Sequence, residues 1–422
     1  MSNYLSNKSF KDFEDIPHMD IFQRAKSHAE YLDFLKSSGY MNYRLLVTSG
    51  CGPEVTLAAD GPIKKGQYVS FVCNDYLGFT QHPEIKRAAM AGIEKYGTGA
   101  GASPLIGGYL DYHQELEDKL SDFFKRPRGS SIAYTTGYTS NSASLQCLLK
   151  KDDIAIVDMA VHASVYEGIQ GTTIKRFLHN NLDALERILT NVKDKYRTKM
   201  VIVDGVYSQD GDIAPLKDIL TLTHQHGGIL LVDDAHGIGV IGDTGRGALE
   251  YFEVMDQVDI ITGTFSKTFS NVGGYVIADP VLISYLQFQS RQYAFSAAAT
   301  PAIAGVSRAI DLLDEEPHWQ KKLWENIAYY RKGLKDLGLD IGTSASAIIP
   351  VKIGDVQKNC EAGKLLLECG IYTNPIMYPA VSLKDSRIRM SLMATHTQEH
   401  LDKALNAFDY VNKKLNIAKS ME

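Results

Sequence analysis

Cysteine is scarce and scattered. The five residues, Cys51, Cys73, Cys147, Cys360 and Cys369, are odd in number and form no C-x-x-C pair, which argues against a disulfide framework and a zinc knuckle and fits a reducing compartment. A basic excess is missing too: 44 Lys and Arg stand against 50 Asp and Glu, a formal net charge of −6. The footprint that neutralises nucleic-acid phosphates is therefore absent. No apolar run is long enough to span a bilayer, and the start MSNYLSNKSFKDFEDIPH lacks the basic end and apolar core of a signal peptide. These absences predict a cytoplasmic protein with no nucleic-acid partner. Internal repeats, low-complexity tracts and metal-ligand spacings are lacking as well, so no metal site is expected.

What is present is a chain of 422 residues, 44% hydrophobic and 22% charged. That length exceeds one ordinary core. Helical spacing over residues 20 to 38 marks an N-terminal arm within 1–60. From Tyr68 onward, apolar runs alternate with helix-like segments: YVSFVCN, IAIVD, MVIVDGVYS, GILLVDD and VDIITGTFS. Alternation of this kind predicts an α/β fold with a mostly parallel sheet between helices, here over 61–300. After Pro301 two long helical patterns precede short strands near 346 to 353 and 387 to 393, predicting a smaller α+β domain over 301–422.

Ligands in open α/β sheets bind at the carboxyl ends of strands, where Asp158, Ser208, Asp233, Asp234, Thr264 and Lys267 fall. Gly237, Gly239 and Gly242 satisfy G-x-G-x-x-G, yet no amphipathic helix opens on them, so dinucleotide binding is not predicted. Lys267, in GTFSKT, is more telling. Lysine forms Schiff bases with carbonyl compounds, and pyridoxal phosphate is the commonest cofactor that needs one. The attacking amine must be neutral against a free pKa of about 10.4, which burial at a strand end between small residues favours. The same cofactor needs a carboxylate at its pyridine nitrogen, and Asp233 fits. Its phosphate needs backbone N–H groups at a helix start, which TTGYTSNSASLQCLL at 135 to 149 offers, although a plain N-capped helix reads the same way. Alone, His162 reads rather as a satisfied core histidine, and Ser208 can be read as turn chemistry.

Taken in order, NDYLGF (74 to 79), GTGAGASPLIGG (97 to 108), TGYTSN (136 to 141), HAS (162 to 164), DGVYSQDGD (204 to 212), VDDAHGIGVIGDTGRG (232 to 247), GTFSKT (263 to 268) and RIRMSLMATHT (387 to 397) resemble the α-oxoamine synthase family of fold-type-I pyridoxal-phosphate enzymes. The resemblance covers nearly the whole chain. It implies Lys267 as the Schiff-base lysine, Asp233 as partner of the pyridine nitrogen, and His236 and Ser208 on the phenolic-oxygen side. It further implies that His162 stacks on the ring, that Gly137, Tyr138 and Thr264 serve the phosphate, and that Asn74 and Arg389 meet the substrate. Lys267, Asp233 and His162 are the residues implied in catalysis.

The activity implied is decarboxylating condensation of an amino acid with an acyl-CoA or acyl-carrier-protein thioester, giving an α-amino ketone. The segment NPIMYPAVSLKDSRIRMSLMATHT, 374 to 397, looks most like bacterial serine palmitoyltransferases. It therefore predicts L-serine and a long-chain acyl group, a sphingolipid-type product, and peripheral membrane contact for that lipid. Glycine, alanine, threonine or cysteate would use the same residues, as would an aminotransferase the same fold. Three positions depart from the family pattern: Pro104 where arginine is usual, Thr268 in place of a smaller residue, and Met377 where several members carry a second arginine. The loop QYAFSAAATP, 292 to 301, resembles a family segment that reaches a neighbouring subunit, implying a homodimer.

Overall fold

The computed structural model describes Leu5 and residues 8–418, and the chain divides into two compact units. One comprises Met1–Asn74, Gln209–Gly211 and Lys322–Glu422, the other Asp75–Ser208 and Asp212–Lys321. In the first, the helix Ile21–Ser38 starts at Asp20, whose side chain accepts from the Gln23 N–H at 2.9 Å, and stops at Gly39 in the left-handed region. Strands β1 (Glu54–Leu57) and β2 (Gly66–Ser70) then pair antiparallel, Glu54 opposite Val69.

The second unit holds a seven-stranded sheet. Its members are β3 (Ser131–Tyr134), β4 (Ile154–Asp158), β5 (Thr173–Phe177), β6 (Lys199–Asp204), β7 (Ile229–Asp233), β8 (Ile260–Thr264) and β9 (Gly274–Ile277). They are ordered β3-β9-β8-β7-β6-β4-β5. The run from β8 to β5 is parallel, as the continuous apolar strands predict, and Ile156, Ile202, Leu231 and Ile261 are fully buried. Strand β9 is the exception, antiparallel to both β8 and β3. The intervening segment 265–273 is too short to hold a crossover helix, so the chain must reverse. Lys267 lies in that reversal.

The divide falls after Lys321 and not at residue 300. The reason is packing: the helix Ala304–Glu315 lies on the helices Pro83–Tyr96 and Asp111–Phe123, and Gly92 lets the backbones close in, since a Cβ there would sit 2.3 Å from the Pro301 carbonyl oxygen. Residues up to Asn74 likewise belong with the C-terminal segment and not with the large sheet.

The first unit resumes with β10 (Ile348–Lys352), β11 (Ile371–Tyr372), β12 (Asn374–Ile376) and β13 (Arg387–Ser391). Strand β11 joins β2 in parallel, and β13 lies between β10 and β12. Arg387, fully buried, pairs with Asp385 and with Asp210 of the turn Gln209–Gly211. Among the described residues no helix is long and apolar enough to cross a membrane.

Candidate active site

In the second unit the carboxyl ends of β6, β7 and β8 put three groups side by side. Asp204 stands opposite Asp233 in the parallel register, so two buried carboxyls are neighbours. Burial first, and the Asp233 charge second, raise the Asp204 carboxyl well above the usual carboxylate range. Asp233 is held by Asn141, whose Nδ2 donates to Oδ2 at 2.6 Å, and by the Ala235 N–H, which donates to Oδ1 at 3.1 Å. The Asn141 amide also reaches Ser164 Oγ at 3.0 Å, so its direction is fixed.

Asp234 has a different task. Successive strand residues point to opposite faces, and its carboxylate accepts from the Ala248 N–H at 2.7 Å. A Cβ on Gly205, Gly237 or Gly247 would fall 2.4, 2.0 or 1.9 Å from that carboxylate. The glycines therefore make room for Asp234. Burial pushes its carboxyl up to about 7. This also disposes of the G-x-G-x-x-G pattern: Gly239 and Gly242 have φ of 77° and 86°, and the helix that follows them, Gly247–Tyr251, has five residues.

The helix Gly137–Leu148 begins where β8 ends. Thr136 caps it, accepting from the Thr139 N–H at 2.9 Å. A Cβ on Gly137 would lie 2.5 Å from Thr264 Cβ, and one on Gly274 2.5 Å from Gly137 Cα. Backbone thus meets backbone here, with the first helical N–H groups lacking intrahelical acceptors beside the Thr264 hydroxyl. Such a cradle suits a phosphate. The Tyr138 side chain turns elsewhere: its hydroxyl donates to Glu167 and its ring meets His162 edge-on at 6.0 Å. Any phosphate contact from Tyr138 is therefore through its N–H.

Lys267 sits in the same charge cluster, acting electrostatically on His162, Asp204 and Asp234. His162 caps the helix Ala163–Gly168, its Nδ1 lying 2.8 Å from Ser164 Oγ. Its ring is solvent-accessible but crowded by protein. That crowding lowers its pKa, Asp233 opposes the shift, and Lys267 adds to it. The His236 Nδ1 lies 2.6 Å from the Tyr76 hydroxyl, and both are buried. Ser208 follows Tyr207, whose N–H donates to the Asp212 carbonyl at 3.0 Å. His162, Asp233, Asp204 and Lys267 are thus brought together, with the cradle of Gly137, Tyr138 and Thr264 at the end of the neighbouring β8.

Asn74 and Arg389 belong to the first unit and form a cluster there. Arg389 Nη2 donates to Asn74 Oδ1 at 3.2 Å, Nη1 to Ser391 Oγ at 2.9 Å, and Ser391 Oγ to Asn74 Oδ1 at 2.7 Å. Arg389 is buried on β13, the central strand of its sheet. Of the departures, Thr268 is buried and donates to the Ile238 carbonyl at 2.8 Å, Met377 receives the Cys360 thiol at 3.3 Å, and Pro104 opens the short 3-10 turn Pro104–Ile106.

Three residues escaped the sequence reading. Asn141 stands four after Gly137, one helical turn on, so spacing places it on the cradle's face. Tyr76 lies in NDYLGF without a pattern that marks it. His179, after β5, bridges Asp158 at 3.1 Å and Asp212 at 2.8 Å; it shows in sequence only as a histidine following a strand.

A lysine between two strand ends, a neighbouring carboxylate fixed by an amide, and a phosphate cradle at a helix start define a pyridoxal-phosphate enzyme. The comparisons agree. Residues 67–408 match the aminotransferase class I and II family model. The 8-amino-7-oxononanoate synthase of Thermoanaerobacter pseudethanolicus is 40% identical over 391 residues, 92% of this chain and 97% of the relative. The serine palmitoyltransferase of Sphingobacterium spiritivorum is 36% identical over 394 residues, 93% of this chain and 96% of the relative. The solved serine palmitoyltransferase of Sphingomonas wittichii superposes with a TM-score of 0.88 at 29% identity, covering 94% of this chain and 100% of that one. The chain belongs to the aminotransferase class I and II family and, within it, to the α-oxoamine synthases. It has the fold-type-I architecture, uses pyridoxal phosphate and is an acyltransferase joining an amino acid to an acyl thioester.

Proposed function

We propose that the amino acid is L-alanine and the acyl donor a thioester of medium length, in place of the L-serine and long chain expected from residues 374 to 397. The observation behind this is that relatives named 8-amino-7-oxononanoate synthase match at 37–40% identity, with the Sphingobacterium enzyme at 36%. That product's name carries its chemistry: the carbon bearing the amine also bears a methyl group, so the amino acid is alanine. Serine remains the second reading, favoured by the TM-scores of 0.88 to serine palmitoyltransferases.

Bound pyridoxal phosphate supplies an electron sink for the α-carbon of an attached amino acid. Asp233, oriented by Asn141, would hold the proton on the pyridine nitrogen, beside the Asp204 carboxyl whose pKa burial and the Asp233 charge raise. The Gly137 and Tyr138 N–H groups and Thr264 receive the phosphate. His236, steadied by Tyr76, and Ser208 would hold the phenolic oxygen, and His162 would lie against the cofactor. Arg389, with Asn74, binds the amino acid's carboxylate. Lys267 Nζ would take the α-proton and later return one. The α-carbon attacks the thioester, thiol departs, and the carboxylate leaves as carbon dioxide. A homodimer is part of this proposal.

Carbon dioxide and free thiol are to be followed for L-alanine, glycine and L-serine, each against acyl-CoAs from short to long. Turnover with alanine and a medium chain supports the proposal. Turnover with serine and long chains alone replaces alanine by serine, and thiol release without carbon dioxide reduces the activity to thioester hydrolysis.

A further inference from the structure

The antiparallel register of β1 and β2, Glu54 opposite Val69, continues past the strand ends, where the Ser70 N–H still donates to the Pro53 carbonyl at 2.8 Å. Extending that ladder brings residue 51 beside residues 72 and 73. There the two thiol sulfurs of Cys51 and Cys73 lie 2.8 Å apart. Both side chains are half-buried, whereas Cys147 and Cys360 are buried. Cys73 immediately precedes Asn74, the acceptor for Arg389 and Ser391.

We infer that Cys51 and Cys73 are a redox modification site, closing reversibly to an intramolecular disulfide under a peroxide and changing the Asn74 segment that supports Arg389. The chemistry balances. One thiolate attacks the O–O bond of hydrogen peroxide, giving a sulfenic acid and one water; the second thiolate attacks that sulfur and expels the second water. Two thiols are oxidised by two electrons, one peroxide is reduced, and a dithiol reductant reverses the change. Among the described residues no other cysteine pair lies this close, and the Cys360 thiol meets the Met377 thioether, with which no disulfide can form. The consequence for ligand binding rests on the reading of Arg389 as the carboxylate site. A covalent tie one residue before Asn74 restrains the acceptor through which Arg389 is oriented, so affinity for the amino acid should fall several-fold on oxidation.

The test uses the holoenzyme, treated with equimolar hydrogen peroxide, alkylated, digested without reductant and mapped by mass spectrometry. A peptide containing Cys51 joined to one containing Cys73, two hydrogens lighter than the pair and separated by dithiothreitol, is expected. Cys147, Cys360 and Cys369 should be recovered alkylated after unfolding. Spectral titration with the amino acid should show weaker binding after oxidation, recovery with dithiothreitol, and no change in Cys51→Ser. Recovery of both cysteines as free thiols or separate sulfinic acids overturns the site. A linked peptide with unchanged affinity overturns its control of Asn74. Reduced Arg389→Lys binding the amino acid as tightly as the parent would instead overturn the carboxylate reading, leaving the linked peptide intact.

Discussion

His179→Ala should destabilise the protein by about 3 kcal/mol at neutral pH, and the loss should depend on pH in a defined direction. The imidazole is 29% exposed and bridges Asp158, whose side chain is fully buried, to Asp212. The Asn180 N–H and the Ala160 N–H also donate to Asp158, each at 2.8 Å, and the Tyr207 ring packs edge-on at 4.3 Å. Burial works against the imidazolium, but the hydrogen bonds to Asp158 and Asp212 and their charges outweigh it, carrying the pKa from 6.5 up to about 10. At about 1.4 kcal/mol per unit, a shift of that size is worth at most about 5 kcal/mol, and partial exposure discounts it to about 3. Because the folded-state pKa is raised, this stabilisation is fully present below about pH 6.5 and fades as pH rises through about 10. Urea unfolding of parent and variant at about pH 6, 8 and 10 measures it. The gap should be largest at the lowest pH and shrink toward the highest. A gap that is flat with pH would mean that packing on Tyr207, and not the charge, is what His179 supplies, and the electrostatic reasoning would be wrong.

Lys267→Ala should lose the cofactor that borohydride fixes covalently in the parent; mass spectrometry finding a fixed adduct at another lysine would displace Lys267. Asp233→Asn should retain cofactor but lose about 3 kcal/mol or more of transition-state stabilisation, read as a kcat at least about a hundredfold lower. Asp234→Asn should instead unfold more easily in urea, by about 1–3 kcal/mol, through damage to its buried contact with Ala248; equal losses of kcat in the two variants would contradict this separation. Arg389→Lys should raise KM for the amino acid more than it changes KM for the thioester, since a lysine cannot make the two-pronged contact of a guanidinium. Sedimentation at micromolar protein should give a dimer, with Phe295, 78% exposed in the single chain, at the contact; a fully active monomer would remove the dimer from the proposal.

How much of this could be read beforehand depends on the range over which each feature is determined. Strands such as IAIVD and GILLVDD announce themselves because a strand buried on both faces must be apolar throughout, and their last residues then fall at one edge. The positions of Asp233 at the end of β7 and of Lys267 just after β8 were legible for that reason. Strand β9 was not: GYVI is four residues long, and only the shortness of segment 265–273 shows that it must run antiparallel. The boundary after Lys321 was hidden because Ala304–Glu315 has an ordinary amphipathic pattern that says it is covered without saying by what.

The site's supporting residues were illegible for a related reason. Asn141 reaches Asp233 from a helix 92 positions away in sequence, and Tyr76 reaches His236 from 160 away. No local rule couples such positions. Chemistry nevertheless gave a partial signal. Asp233 ends β7 and Asp234 follows it in extended chain, so their side chains point to opposite sides, and three glycines within reach of Asp234 mark it as the one enclosed by backbone. Substrate identity has no such signature. Alanine and serine differ by a hydroxyl, a difference that a pocket resolves by about 1–3 kcal/mol, and one or two side chains can supply that without altering any motif. The reaction type is therefore legible in residues that the cofactor's chemistry requires, while on the proposed reading the choice of amino acid rests on contacts free to vary around Asn74 and Arg389.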